Sequence, residues 1–259
     1  AYDDPAALDE LAQASDVVTY EFENVPLPAG ERLAAQGSLF PPARALEVAQ
    51  DRLTEKQFLN GIGIETADFA AVDDDAGLAA ALQRFGGHGI LKTRRLGYDG
   101  KGQRVFRNAG ADYAAGACAE MGSVALILEA LVPFEREISV IAGRGQDGGV
   151  VAFDPAENVH SDGILRTSTV PAHVSAEVVE AAKAIAGRIL EALDYVGVIG
   201  VEFFALADGT LKVNEIAPRV HNSGHWTEAA CAMSQFELHI RAITGQALGS
   251  TTRHSDCVM

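Results

Sequence analysis

"VGVIGVEFFALADGTLKVNEIAPRVHNSGHW", residues 196–226, sets two strand-like runs on either side of an Asp-Gly pair. Asp-Gly in that setting is the strongest short-range hairpin signal, because both central positions of a type I′ turn need φ above zero. A two-residue turn at Asp208-Gly209 pairs Leu206 with Leu211, Phe204 with Val213, and Glu202 with Glu215. Directly opposed carboxylates destabilise a sheet. The pair therefore needs a shared proton, a buried cation or a metal, unless a one-residue slip separates two exposed glutamates. One or two carboxylates, with water and phosphate oxygens completing the shell, describe Mg²⁺ held beside a nucleotide.

A second stretch, "RRLGYDGKGQ" (94–103), repeats the hairpin signal between "GILK" (89–92) and "QRVF" (103–106). Asp-Gly recurs at 147, 162 and 208, so turn-making alone accounts for the dipeptide. Charge adds something further. Residues 84–107 hold seven basic side chains and one acid, Asp99, in a chain whose net charge is −16. A solvated basic face is one reading. The other is a phosphate cradle, since glycine amides approach an oxyanion closely and nearby cations neutralise it. The acidic remainder repels nucleic acid, and no basic stripe interleaved with aromatics appears elsewhere. A small polyphosphate fits better.

With 259 residues and 48% apolar side chains, the chain is long enough for a sizeable core in one to three domains. No apolar run approaches the roughly 20 residues that span a bilayer. Cys118, Cys231 and Cys257 are odd in number and lack metal-ligand spacing. They read as reduced structural thiols in a cytoplasmic setting.

The coarse pattern is mixed α and β. "DVVTYEF" (16–22) reads as a buried strand, and 51–60 as a short helix with Asp51 as N-cap and Gly61 at its end. Then come a strand at "TADFAAV", a helix from Asp75 to Phe85, the glycine-rich hairpin, a helix near 110–120, and the strand "VALILEAL". Further strands fall near 137–143 and 149–153. The clearest helix runs from Ser175 to Tyr195, with Val178, Ala182, Ile185, Ile189 and Leu193 on one face and Gly197 closing it.

Five ordered blocks, "ILKTRRLGYDGKGQ", "ILEALVPFEREIS", "ENVHSDGILRTS", "YVGVIGVEFF" and "VNEIAPRVHNSGHW", resemble the 5-(carboxyamino)imidazole ribonucleotide synthase family of ATP-grasp enzymes. The resemblance covers essentially the whole chain, from "TYEFENVP" to "SQFELHIRAITG". It implies an α/β (α+β) fold in which two α+β subdomains sandwich ATP, after a remnant of an N-terminal Rossmann-like domain. The implied boundaries are 1–49 for that remnant, 50–134 and 135–246 for the two ATP-grasp halves, and 247–259 for the start of a further domain. The family's glycine-rich N-terminal segment and basic C-terminal domain have no counterpart here, which suggests a piece of a longer protein.

The activity implied is ATP- and bicarbonate-dependent carboxylation of aminoimidazole ribonucleotide through carboxyphosphate, in a cytoplasmic enzyme with a homodimer among its partners. Mg²⁺, or alternatively Mn²⁺, is held by Glu202 and Glu215. Arg52 and Lys92 match ATP-phosphate positions, and Gly97, Tyr98, Asp99, Gly100, Lys101, Gly102 and Gln103 match the mobile loop over the nucleotide. Glu129, Ala130, Leu131 and Val132 match the hinge that reads adenine largely through backbone groups, Glu137 the ribose contact, and His160 and Asn214 further nucleotide contacts. Tyr98 and Asp99 face the aminoimidazole, with Asp99 a candidate base. Arg219 and His221 lie near the transferred carboxyl and phosphate, and Glu23 touches the second substrate. Two other readings share the metal hairpin. One is a different ATP-grasp ligase, such as a formate-dependent transformylase or a biotin carboxylase; the other is an ATP-binding module without turnover.

Overall fold

The computed structural model describes residues 2–37, 39–97, 102–161 and 163–259. Tyr98, Asp99, Gly100, Lys101 and Asp162 lie outside the described residues. Three helices open the chain: α1 (Pro5–Ala14), α2 (Leu27–Ala34) and α3 (Ala43–Ala49). They bury Leu8, Val18, Leu33, Leu39 and Leu46 among themselves. The apolar run 16–22 is not a strand. Only Val18 pairs, in a single parallel bridge to Leu39, and its neighbours pack on the helices instead of on a ladder.

Next come α4 (Arg52–Gly61), β1 (Phe69–Val72), α5 (Asp75–Arg84), β2 (Gly89–Thr93), β3 (Gln103–Phe106), α6 (Ala117–Glu120) and β4 (Leu126–Glu129). Asp51 caps α4 by accepting from Leu53 N and Thr54 N. β2 and β3 pair antiparallel as the glycine-rich hairpin requires, within a sheet of order β1-β4-β2-β3. Gly102 ends the hairpin loop at φ +68, and a Cβ there would sit 2.8 Å from Thr93 Oγ1, so only glycine fits. The helix expected near 110–120 is split into a 3₁₀ turn, Ala111–Ala114, and α6, with Gly116 left-handed between them.

The larger sheet follows: β5 (Phe134–Arg144), β6 (Val150–Ala152), β7 (Ala156–Ser161) and β8 (Ile164–Val170). After α7 (Ala176–Ala192) come β9 (Gly197–Leu206) and β10 (Leu211–Ala217), then α8 (Thr227–Ala230), α9 (Gln235–Ile243) and β11 (Cys257–Val258). The antiparallel order is β10-β9-β5-β7-β8-β11, with β6 also on β5. Alternation along the strands divides the sheet into two faces. Ile138, Val140, Ile199, Val201 and Phe203 pack on Val178, Ala182 and Ile189 of α7. Ile141 and Val198 face the opposite side, with Trp226 and Leu238. Asp194, at φ +45, ends the α7 segment, and Gly197 instead opens β9 at φ +127. Among the described residues no helix is long and apolar enough to cross a membrane.

His239 on α9 ties these layers together. Its Nδ1 accepts from Val198 N at 3.1 Å and its Nε2 meets Thr19 Oγ1 at 2.9 Å. Burial pushes the imidazole down from 6.5 to about 4, because a proton on Nδ1 would face the Val198 N–H. The neutral ring therefore contributes stability that is complete above 6.5 and is lost as pH falls through about 4, at most about 3 kcal/mol. Urea unfolding midpoints of the wild type should drop between pH 7 and pH 4.5 more steeply than those of His239→Gln. Parallel slopes would contradict this.

Candidate active site

Helix α4 delivers three charged side chains to one face at helical spacing: Arg52, Glu55 and Lys56. Arg52 Nη1 lies 2.9 Å from Glu215 Oε2. Glu55 Oε1 accepts from Ile216 N at 2.8 Å, and Lys56 Nζ donates to Asn214 O at 3.2 Å. From the smaller sheet, Lys92 Nζ reaches Glu129 Oε2 at 2.9 Å, and Lys56 shares that oxygen at 3.4 Å. Burial pushes the Lys92 ammonium down even beside Glu129. Burial drives the fully enclosed Glu55 carboxyl up to about 8.

The opposed glutamates are present, reached by a different path from the one the sequence suggested. Leu206 N donates to Thr210 O, and Gly209 takes a left-handed φ, so three residues, not two, form the turn. That sets Val213 opposite Phe203 and Lys212 opposite Phe204, one step from the expected register. A β-bulge between Val213 and Glu215 restores the step and places Glu215 opposite Glu202. Burial and the Glu215 charge push Glu202 up, whereas Arg52 overcomes burial and holds Glu215 low. Glu215 keeps 37% of its side chain open to the cleft, so solvent screens part of that attraction.

The two halves meet over a cleft of about 460 Å³. Glu23, Arg52, Lys92, Gly97, Gly102 and Gln103 line it, as do Glu137, His160, Glu202, Asn214, Glu215, Arg219 and His221. Glu129, Ala130, Leu131 and Val132 do not. Glu129 is turned into the protein towards Lys56 and Lys92, and Ala130 N donates to Asp68 O at 2.8 Å.

Further along the cleft Glu137 pairs with His160, and Glu23 with Arg219. Burial opposes the charged form of Glu23, yet Arg219 holds the carboxyl below its ordinary value. His221 sits above Gly200, where a Cβ would meet its own Cβ at 2.8 Å and its ring at 2.9 Å. Its Nδ1 faces Ser223 Oγ at 2.8 Å and its Nε2 lies 3.5 Å from Glu202 Oε1. Burial and Arg219 push the ring down to about 4.

Three contributors carried no sequence signal strong enough to name them. Glu55 and Lys56 become legible only once 51–60 is drawn as a helix and its Arg52 face is followed. Buried Gln235 holds both backbone groups of His221, accepting from its N at 2.9 Å and donating to its O at 2.8 Å. Asp51 also ties down the base of the glycine-rich loop, accepting from Arg94 Nε at 2.9 Å while Arg52 N donates to Arg94 O.

The donor set suits a hard divalent ion. Glu202 and Glu215 oppose one another, and the Oδ1 of Asn214 beside them is buried without a partner. Among the described residues no three acidic, His or Cys groups gather to hold a metal alone. Phosphate and water oxygens would therefore complete the shell, as is usual for Mg²⁺.

Comparison with known proteins gives the family. Residues 57–236 match the ATP-grasp domain, and residues 1–50 the ribonucleotide synthetase preATP-grasp domain. N5-carboxyaminoimidazole ribonucleotide synthase of Brucella melitensis is 62% identical over the whole chain, which spans 72% of that protein. The chain belongs to the N5-carboxyaminoimidazole ribonucleotide synthase family. An ADP complex of such a synthetase superposes with a TM-score of 0.94 at 41% identity, covering 100% of this chain and 68% of that one. The Aspergillus clavatus enzyme, solved with ADP and 5-aminoimidazole ribonucleotide, gives 0.90 at 30% identity, with 100% and 68% covered. The fold is thus ATP-grasp and the chain an ATP-dependent ligase that forms a C–N bond. Its three cysteines are free.

Proposed function

We propose that this chain carboxylates 5-aminoimidazole ribonucleotide with bicarbonate, using ATP, through carboxyphosphate. The observation that carries the reading is the convergence of Arg52, Lys92, Glu202 and Glu215 with Arg219 and His221 on one cleft. A bicarbonate oxygen attacks the γ-phosphorus while the bond to the ADP oxygen breaks. The ribonucleotide amine then bonds to the carboxyl carbon, the carbon–phosphate oxygen bond breaks, and the amine proton passes to a base. Glu202 and Glu215 would hold Mg²⁺, or Mn²⁺ with the same oxygen donors, which would supply charge neutralisation for the phosphates.

The chain's own part is positioning and charge. Arg52 and Lys92 hold phosphate oxygens, with Gly97, Gly102 and Gln103 lining the cleft beside them. Arg219, tethered by Glu23, holds the incoming carboxyl group. His221 is kept neutral by burial and so supplies a hydrogen bond without adding charge. Asp99, paired in sequence with Tyr98, is assigned as acceptor of the amine proton. We further assign 50–134 and 135–246 to the two halves that close on ATP, and the reaction to the cytoplasm, in keeping with free thiols.

Phosphate release from ATP, measured with each component omitted in turn, tests the reading. It should require a divalent metal and bicarbonate, and rise on adding aminoimidazole ribonucleotide. Dependence on formate in place of bicarbonate, or ATP binding with no release, would overturn it.

A further inference from the structure

β10 is the last strand of its sheet, so half of its backbone groups point away from β9, met there only by an isolated parallel bridge from Thr66 to Val213 among the described strand pairings. Its bulge removes another regular pairing at the place where Glu215 must face Glu202. Three of these outward groups are nevertheless satisfied. Val213 N donates to Glu65 O at 2.8 Å, Asn214 O accepts from Lys56 Nζ at 3.2 Å, and Ile216 N donates to Glu55 Oε1 at 2.8 Å. The last two contacts flank Glu215 on either side and come from consecutive residues of α4.

Burying a polar or charged side chain costs up to several kcal/mol unless its partners are well placed. Yet Glu55 and Lys56 are 3% and 1% exposed, on a helix that elsewhere buries apolar Leu59. Helix packing alone would be served as well by two apolar side chains. What these two supply, and leucine would not, is a donor and an acceptor aimed at a backbone that has left its ladder.

We infer that Glu55 and Lys56 are positioning residues: they clip the backbone before and after Glu215 and so hold the bulge that keeps this carboxylate opposite Glu202. Without the bulge, continuing from the Val213–Phe203 pair, Asn214 would face Glu202 and Glu215 would turn to the α7 side. Arg52, one turn earlier on α4, grips the Glu215 carboxylate itself. One helix thus fixes both the backbone and the side chain of a metal-facing residue. The consequence for metal binding rests on the Glu202–Glu215 assignment proposed above.

The test is Mn²⁺ affinity in the presence of ADP, read by electron paramagnetic resonance, together with amide exchange at Ile216. Lys56→Met and Glu55→Met should each weaken Mn²⁺ about tenfold, the scale of losing a partner that orients a metal ligand. Metal-free ADP affinity should stay within about twofold, since the nucleotide's own contacts remain. Glu55→Gln retains an oxygen acceptor for Ile216 N and should restore wild-type Mn²⁺ affinity and amide protection. Should Lys56→Met not fold, the Glu55→Met and Glu55→Gln pair decides the matter alone. Wild-type Mn²⁺ affinity and Ile216 protection in Glu55→Met, or a Gln variant no better than Met, would overturn the clip. Glu215→Gln separates the two readings: unchanged Mn²⁺ binding there would refute the metal assignment, while Ile216 exchange still judges the clip.

Discussion

Glu215→Gln should lower kcat for ATP turnover on the order of 10³-fold, with Glu202→Gln close behind. The amide keeps the size of the side chain and an oxygen for Arg52 to meet, so folding should change little. What disappears is the charge, and several kcal/mol of metal-mediated stabilisation of a phosphoryl transition state corresponds to about three decades of rate. Loss of the Glu215 charge also removes one of the influences that push Glu202 up, leaving burial and the Glu137 charge. Glu202 in the variant should therefore ionise at lower pH and bind the ion alone, more weakly. The measurement is phosphate release against Mg²⁺ concentration. Wild-type turnover at ordinary Mg²⁺ in either variant would refute the opposed pair as a metal site.

The second large effect falls on stability. Glu129 is 3% exposed and faces two ammonium groups, Lys92 and the almost completely buried Lys56. Glu129→Leu leaves Lys56 without a counter-ion and should cost about 3–5 kcal/mol, the usual penalty for stripping one partner from a buried ion pair. Lys56→Met should cost much less, because Glu129 keeps Lys92. Combining Lys56→Met with Glu129→Leu should recover most of the loss, since the remaining cation, Lys92, opens onto the cleft. Urea midpoints of the three variants check this. A Glu129→Leu protein as stable as the wild type would mean that Lys56 is not held as an ion at all.

Some of this was legible in the residues. Asp51 before an apolar-periodic segment announced the cap of α4, and the Val178–Leu193 stripe announced the buried face of α7, because both signals are local. The pairing of Glu202 with Glu215 was legible for an incomplete reason. The two-residue turn assumed at Asp208-Gly209 has three residues, and the bulge at Asn214 cancels the error. Bulges leave no period in a sequence, and this one depends on α4, more than 150 residues away along the chain. The strand expected at 16–22 failed because apolar character reports burial but not a ladder partner. Family resemblance matched Glu129 to a hinge that works largely through backbone groups and said nothing of its carboxylate, which turns inwards to the two lysines of α4 and β2. That depends on which face of β4 meets α4, a tertiary fact.

The most direct test of the account follows an oxygen atom. With ¹⁸O-labelled bicarbonate, ATP, Mg²⁺ and aminoimidazole ribonucleotide, the phosphate released should carry one ¹⁸O from bicarbonate. The bicarbonate oxygen that attacks the γ-phosphorus stays on phosphorus when the carboxyl group leaves for the amine. Phosphate free of label, its new oxygen drawn from water, would contradict carboxyphosphate formation in this cleft.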